Sequence, residues 1–260
     1  MTGQKIVVVK IGTNSLTTAS GRLDLNNLRD VVHQISGASQ HYDLRFVIVT
    51  SGAVTSGAEH MGFSPKTLPE KQAAASVGQI LLMQEYAYFF ETLGYKTGQI
   101  LLTKDNFTDT NRQANIKNTM HELLSKNIIP IINENDSIST EEIQFGDNDA
   151  LSADVAILIN ASMLILLTDT DGVYDENPKV NANAKLITQI PEISDALLEQ
   201  TGGTLSPTSK GGMKSKLTSA KRCRDQGIRV VIAGGRQPNV IADILAGSTV
   251  GTRIGDWEGM

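Results

Sequence analysis

Side chains suited to binding phosphate follow several apolar runs of this 260-residue chain. Lys10 ends the run KIVVVK, and the next residues, IGTNS, place Gly12 among small hydroxyl and amide side chains. The runs RFVIVT and MLILLT are followed by SGAVTSG and DTDGVY, and a later helical pattern begins with SKGGMKSK. Glycines beside hydroxyl groups let backbone amides approach an anion, while lysine adds a positive charge. Because these segments occur together, we predict a site for phosphate groups.

Carboxylate and amide side chains are concentrated in two further segments, NENDS and FGDNDALSAD, which contribute Asn133, Asp136, Asn148 and Asp149. Asp and Asn also favour turns and helix N-termini, so a capping role explains Asp149 equally well when it is taken alone. In combination with the lysines, cations can neutralise phosphates while carboxylates hold a metal ion, a lysine pair or a substrate amine. The sequence pattern leaves these three roles open.

Composition limits the classes of ligand. Lys and Arg number 23 against 28 Asp and Glu, a net charge of −5 without long runs of one sign, which argues against an extended nucleic-acid or anionic-membrane surface. No apolar run reaches the ~18 residues of a spanning helix, and no signal-peptide pattern precedes the first strand. We therefore expect a cytoplasmic protein with a small-molecule ligand, and no nucleic-acid or membrane partner. The single cysteine, Cys223, excludes an internal disulfide, and its helical context favours a structural role.

The elements that must position these residues alternate along the chain. Strand-length apolar runs lie at 5–10, 45–50, 97–103, 128–133, 163–168 and 228–234, and helical patterns at 23–35, 72–93, 111–126, 149–160 and 213–226. This alternation predicts a three-layer α/β/α sandwich with a mainly parallel central sheet. The stretch 171–207 is rich in turn formers, so we expect it to leave the sheet and to contain no buried strand. Ligands of such sheets bind at the carboxyl ends of the strands, where the polar segments lie.

The segments also resemble a known family. VVVKIGTNSLT, VIVTSGAVTSG, NTMHELLSKNIIPIINENDSI, FGDNDALSA, LLTDTDGVYDENP and GGMKSKLTSAKRC resemble the amino acid kinase superfamily over nearly the whole chain. Within it, NENDS followed by FGDNDALSA is similar to the glutamate 5-kinase family. The resemblance implies the amino acid kinase fold and ATP-dependent phosphorylation, with Mg²⁺, of the γ-carboxylate of L-glutamate, the first step of proline biosynthesis. It also implies a homodimer or homotetramer, feedback inhibition by proline and functional coupling to glutamyl-phosphate reductase.

The same resemblance assigns roles to individual residues. Lys10 and Lys216 correspond to two phosphate-contacting lysines, and Asp149 to the carboxylate that orients them. The positions that match the glutamate site are Ser51, Gly52, Asn133, Asp136 and Asn148. The positions that match the nucleotide site are Lys10, Gly12, Thr168, Asp169, Lys210, Gly211, Gly212, Met213, Lys214, Ser215 and Lys216. No metal ligand of the protein is assigned, because Mg²⁺ is expected to be carried mainly by the ATP phosphates.

Two features depart from the family pattern. The chain has SKGGM where family members often have GTGGM, so Lys210 replaces a small residue in the nucleotide loop. Many relatives continue into a small PUA-type domain, whereas this chain ends with GTRIGDWEGM, and we expect residues 1–260 to form a single amino acid kinase domain without a PUA domain.

Chemistry favours glutamate over the alternatives. A glutamate side chain, with a pKa of about 4.3, is already ionised at neutral pH, so positive charges are needed more than a general base. Sister kinases acting on N-acetylglutamate, carbamate or UMP share the fold, but an acylated amine has no ammonium for Asp136, and a nucleotide phosphate calls for added arginines. A non-catalytic ligand sensor of the same fold is the remaining alternative, and the presence of both lysines argues against it.

Overall fold

The computed structural model describes residues 5–18, 20–139, 148–178, 180–202 and 212–257. In these ranges the strands are β1 Ile6–Ile11, β2 Arg45–Val49, β3 Lys96–Leu102, β4 Ile128–Glu134, β5 Met163–Thr168, β6 Val173–Tyr174, β7 Leu186–Ile187, β8 Gln189–Ile190, β9 Arg229–Gly234 and β10 Thr252–Ile254. The helices are α1 Thr13–Leu16, α2 Leu25–Tyr42, α3 Ala53–Met61, α4 Leu68–Thr92, α5 Thr110–Ser125, α6 Asp149–Leu158, α7 Asp195–Gly202, α8 Met213–Arg224 and α9 Val240–Leu245, with a 3-10 turn at Lys104–Phe107.

The central sheet has eight strands in the order β3-β4-β2-β1-β5-β9-β10-β8. Every neighbouring pair is parallel except β9 and β10, which run antiparallel. Strands β6 and β7 form a separate antiparallel ribbon. The prediction of a mainly parallel sheet is confirmed, and the parallel strands bring their carboxyl ends to one edge of the molecule.

Helices cover both faces of the sheet, as the alternation of strand side chains requires. In β1, Val7, Val9 and Ile11 join a core with apolar residues of α2, α4 and α9. Val8 points the other way, into a second core formed with α5, α6 and α8. The predicted three-layer sandwich is confirmed, and the period of two directs Lys10 to the same face as Val8. None of the helices in the described ranges is long and apolar enough to cross a membrane.

Cys223 lies in α8 as a fully buried member of the second core. Burial raises the pKa of its thiol to about 12, so the reactive thiolate is disfavoured at neutral pH. The structural role predicted for this cysteine is confirmed.

The prediction for residues 171–207 is wrong in one respect. Much of this stretch does leave the sheet, but β8 returns to it and pairs in parallel with β10. Ile190 of β8 is buried, as is Val173 of β6. Strands of two residues are too short to produce a recognisable hydrophobic period, so the sequence pattern could not reveal them. The short helices α1, α3 and α9 were also not predicted.

Helices α3 and α4 contact each other through their backbones at two glycines. A β-carbon built at Gly57 would lie 1.8 Å from the carbonyl oxygen of Ala74, and one built at Gly78 would lie 1.8 Å from the carbonyl oxygen of Ala53. Only glycine permits this approach. The contact therefore fixes α4 against the start of α3, which follows β2.

We expect Gly57→Ala and Gly78→Ala each to lower the free energy of unfolding by about 1–3 kcal/mol or more, because the added methyl group forces the helices apart. Gly37→Ala is the matched control, since Gly37 lies inside α2 and a β-carbon added there would have no atom within 4 Å. That substitution should stabilise the protein by up to ~1 kcal/mol through helix propensity. Chemical denaturation measures all three variants. Equal effects at the three positions would contradict the close helix contact.

Candidate active site

A buried carboxylate joins two lysines at the centre of the strand ends. Lys10 Nζ lies 2.6 Å from one Asp149 oxygen, and Lys216 Nζ lies 2.9 Å from the other. The three residues come from β1, the first position of α6 and the first turn of α8. Asp149 is 0% exposed, Lys10 4% and Lys216 7%. One anion between two cations leaves a net positive charge that is poorly screened by water, which suits the binding of phosphate.

Asp149 is held in its ionised form by the two lysines. Burial acts to raise its pKa, but the charges of Lys10 and Lys216 and their hydrogen bonds outweigh burial and lower the pKa below its ordinary value. A carboxylate that remains ionised keeps both ammonium groups in fixed places. The arrangement fits one of the three roles left open by the sequence, a carboxylate that holds a lysine pair.

A chain of amide groups lies on the β2 and β4 side of this cluster. Asn148 Nδ2 donates to the Thr50 carbonyl oxygen, to Ser51 Oγ at 3.1 Å and to Asn133 Oδ1 at 2.8 Å. Asn133 Nδ2 donates in turn to Gln79 Oε1 at 2.8 Å. The structure thus brings together Ser51, Asn133 and Asn148, which the family resemblance had assigned to one site. Gln79, on α4, was missed. A polar side chain within the largely apolar stretch AAASVGQILLM was the available signal.

Asp136 lies beside these hydrogen-bonded amide groups, at the wall of a cavity of about 250 Å³. The cavity is also lined by Ala53, Gln79, Glu134 and Asn135, among others. Asp136 is half-buried in the turn after β4. A cavity with a carboxylate on its wall can hold a small molecule that carries an ammonium group.

Gly52 begins α3 with φ of 99°, a left-handed conformation that glycine adopts at little cost. It follows Ser51 and shapes the sharp turn from β2 into the helix. The requirement for a left-handed backbone at this turn therefore explains why a glycine follows Ser51.

The residues expected at the nucleotide site lie on the opposite side of Lys10. Thr168 ends β5 and its hydroxyl contacts the exposed Asp169 carboxylate at 3.2 Å. Gly212 caps the start of α8, followed by Met213, the exposed Lys214 and Ser215. A β-carbon at Gly12 would lie 3.6 Å from Lys10 Nζ, so this glycine leaves space beside the ammonium. Lys210 and Gly211 lie outside the described residues.

The turn after β1 is held by Arg236, which the sequence analysis did not single out. Its guanidinium donates to the carbonyl oxygens of Asn14 and Thr17 at 3.1 and 2.7 Å, and pairs with the Asp24 carboxylate at 2.6 Å. These contacts satisfy carbonyl groups at the end of the short α1 helix. The rule that strand ends carry function could have drawn attention to Arg236, because it lies two residues after the end of β9.

Within the described ranges, no group of three or more His, Cys, Asp and Glu side chains is arranged to hold a metal ion. Asp149, the buried acid at the centre, is engaged by both lysines.

The chain is similar in sequence to a protein family and to curated proteins. Residues 5–234 match the amino acid kinase family. The glutamate 5-kinase 1 of Bacillus subtilis (strain 168) is 45% identical over 254 residues, which cover 97% of this chain and 69% of that protein. The glutamate 5-kinase of Shewanella oneidensis is 44% identical, covering 95% of this chain and 67% of the relative. The chain spans about two thirds of the length of the curated relatives it matches.

Solved structures share the fold at lower identity. The UMP kinase of Ureaplasma parvum has a TM-score of 0.64 at 18% identity, covering 98% of this chain and 100% of that one. A product complex of T. acidophilum isopentenyl phosphate kinase has a TM-score of 0.65 at 21% identity, covering 96% and 99% of the two chains. These likenesses show the fold alone, whereas the curated relatives and the family match show kinship. The chain belongs to the amino acid kinase family and, within it, to the glutamate 5-kinases.

Proposed function

We propose that the chain transfers the γ-phosphoryl group of ATP to the γ-carboxylate of L-glutamate, forming L-glutamyl 5-phosphate. The supporting observation is the position of Lys10, on the strand between the two halves of the site. The order β4-β2-β1-β5 places Asn133, Asp136 and Ser51 on one side of β1, and Thr168 on the other. An acceptor and a nucleotide bound on these two sides would meet at the lysine cluster.

In this proposal the lysines reduce repulsion between two anions. An oxygen of the γ-carboxylate forms a bond to the γ-phosphorus while the bond from that phosphorus to the bridging oxygen breaks, leaving ADP. Negative charge spreads over the transferring oxygens, where Lys10 and Lys216 can stabilise it. Asp149 fixes both ammonium groups before the substrates arrive, so little reorganisation is needed. Mg²⁺ bound with the nucleotide supplies further neutralisation of phosphate charge.

The acceptor side carries the basis for recognising a free amino acid. An ammonium group is costly to bury without an anionic partner. Asp136 provides a carboxylate at the cavity wall. An N-acetylated amino acid or carbamate brings no ammonium to this position, which favours glutamate over these acceptors.

The wider biological setting follows from the same proposal. We expect the protein to act in the cytoplasm in proline biosynthesis, as a homodimer or homotetramer coupled functionally to glutamyl-phosphate reductase. Proline shares the ammonium and α-carboxylate groups of glutamate, so it should bind at or beside the same cavity as a feedback inhibitor. Competition between proline and glutamate tests this overlap.

A panel of acceptors tests the proposed reaction. ADP release should be fast with L-glutamate and about tenfold slower, or more, with aspartate, N-acetylglutamate, carbamate and UMP at equal concentrations, because these acceptors do not combine a γ-carboxylate with a free ammonium. A coupled assay with MgATP measures the rates, and mass spectrometry of the hydroxylamine-trapped product identifies the acyl phosphate. A preference for UMP would instead indicate a nucleotide kinase.

Removal of either lysine should reduce turnover without unfolding the protein. We expect Lys10→Ala and Lys216→Ala each to lower kcat by about 10²–10³, as loss of one transition-state charge contact does. Lys5→Ala is the matched control. Lys5 is exposed and lies directly before β1, at the end of the strand opposite to Lys10. Steady-state kinetics measures the loss of turnover, and thermal melting shows whether each variant is still folded. Near-normal kcat in either variant would remove that lysine from the mechanism. If the variant is Lys216→Ala, Lys214 or Lys210 becomes the candidate to replace Lys216.

Asp136→Asn keeps the shape of the side chain and removes its charge. Glutamate binding should weaken by about 2–5 kcal/mol, as when a buried charge pair loses one member, while the KM for ATP stays nearly constant. Asp30→Asn, on the exposed face of α2, is the control. Kinetics with each substrate varied in turn supplies the measurement. A glutamate KM within about twofold of the unmodified protein would refute the ammonium-binding role of Asp136.

A further inference from the structure

The orientation of the Gln79 amide is fixed by the hydrogen-bond chain around it. The Glu134 backbone amide donates to Asn133 at 2.9 Å, and only the side-chain oxygen of Asn133 can accept it. Asn133 must then present its NH₂ group to Gln79, at 2.8 Å. Gln79 therefore accepts with Oε1 and turns its own NH₂ group away from Asn133. The backbone amide of β4 thus determines which atom of Gln79 remains available.

That remaining donor has no protein partner in the described part of the chain. Gln79 is 9% exposed, and its Nε2 atom is buried without a hydrogen bond. A buried unsatisfied donor destabilises a protein unless something else accepts from it. The neighbouring residue, Gly78, lies in the close contact with α3, which restricts the movement of this part of α4. The donor is thus held in place rather than free to turn to solvent.

Gln79 and Asp136 both line the cavity of about 250 Å³. Gln79 brings an amide whose NH₂ group lacks a hydrogen-bond acceptor among the described residues, whereas Asp136 brings a carboxylate. This pairing matches the two groups of an amino-acid head: a carboxylate that accepts hydrogen bonds and an ammonium that needs a counter-ion.

We infer that Gln79 is a specificity-determining residue whose Nε2 donates a hydrogen bond to the α-carboxylate of the amino-acid acceptor, while Asp136 pairs with its ammonium group. This inference rests on the proposed glutamate phosphorylation. It adds a residue of α4 to the acceptor site and explains why a buried position of this helix carries an amide whose NH₂ group has no acceptor among the described residues.

A reversal of hydrogen-bond polarity tests the contact. Gln79→Glu retains an oxygen that accepts from Asn133, but it replaces the NH₂ donor with an anionic oxygen. The glutamate KM should rise about 10- to 100-fold at pH ~7, because two carboxylates now face each other. At this pH a carboxyl group with an ordinary pKa of about 4.3 is ionised, and an α-amino group with a pKa of about 7.7–8.0 is still mostly protonated. L-Glutamic acid α-amide keeps the γ-carboxylate and the ammonium group, and its amide can donate to the new carboxylate. The variant should therefore prefer the α-amide relative to glutamate, the opposite of the unmodified protein.

Two further variants separate the loss of the Gln79 donor from the effect of an added negative charge. Gln84→Glu makes the same substitution on an exposed position of α4 and should leave both KM values unchanged. Gln79→Met removes the donor without adding charge, and it should raise the glutamate KM without reversing the preference. Thermal melting checks that each variant folds. If Gln79→Met and Gln79→Glu leave the ratio of glutamate to α-amide unchanged, Nε2 is satisfied by water and the inference is wrong. Absence of glutamate turnover in the unmodified protein would instead overturn the proposed function itself.

Discussion

The bridge from Asp149 to Lys10 and Lys216 is the interaction on which the site depends. Two ammonium groups at 4% and 7% exposure would repel each other and lose hydration if no anion stood between them. The fully buried carboxylate compensates both, and its lowered pKa reflects the strength of that compensation. The bridge also ties β1, α6 and α8 together at the sheet edge. A single charge therefore serves the stability of the strand ends and the preorganisation of the lysines.

The start of α6 connects this charged cluster to the amide chain. Asn148 and Asp149 are consecutive, yet one contacts Ser51 and Asn133 while the other contacts the lysines. A shift of this helix end would disturb both halves of the site. Because the two residues are adjacent in the chain, the amide groups and the lysine charges keep a nearly constant separation.

Much of the fold and part of the site could be predicted from local sequence patterns. Lys10 stands out because a charged residue ends a strongly apolar strand, and alternating strands and helices predict a parallel sheet with helices on both faces. Strand β8 could not be recognised, since two residues carry no period. Gln79 was missed because its role depends on neighbours from β4, far away in sequence. The sequence does not show which face of α4 meets that strand.

The position of Gln79 follows from packing rather than from the polar chain itself. Gly57 and Gly78 allow α3 and α4 to approach until backbone atoms touch, and that distance brings the next residue of α4 within reach of Asn133. With a larger residue at Gly78, α4 would be pushed away from α3, and the 2.8 Å contact between Asn133 and Gln79 would be disturbed. Small residues in the helix pair thus determine the hydrogen bonding of the acceptor cavity. The apolar packing and the polar recognition in this part of the molecule are consequences of the same close helix contact.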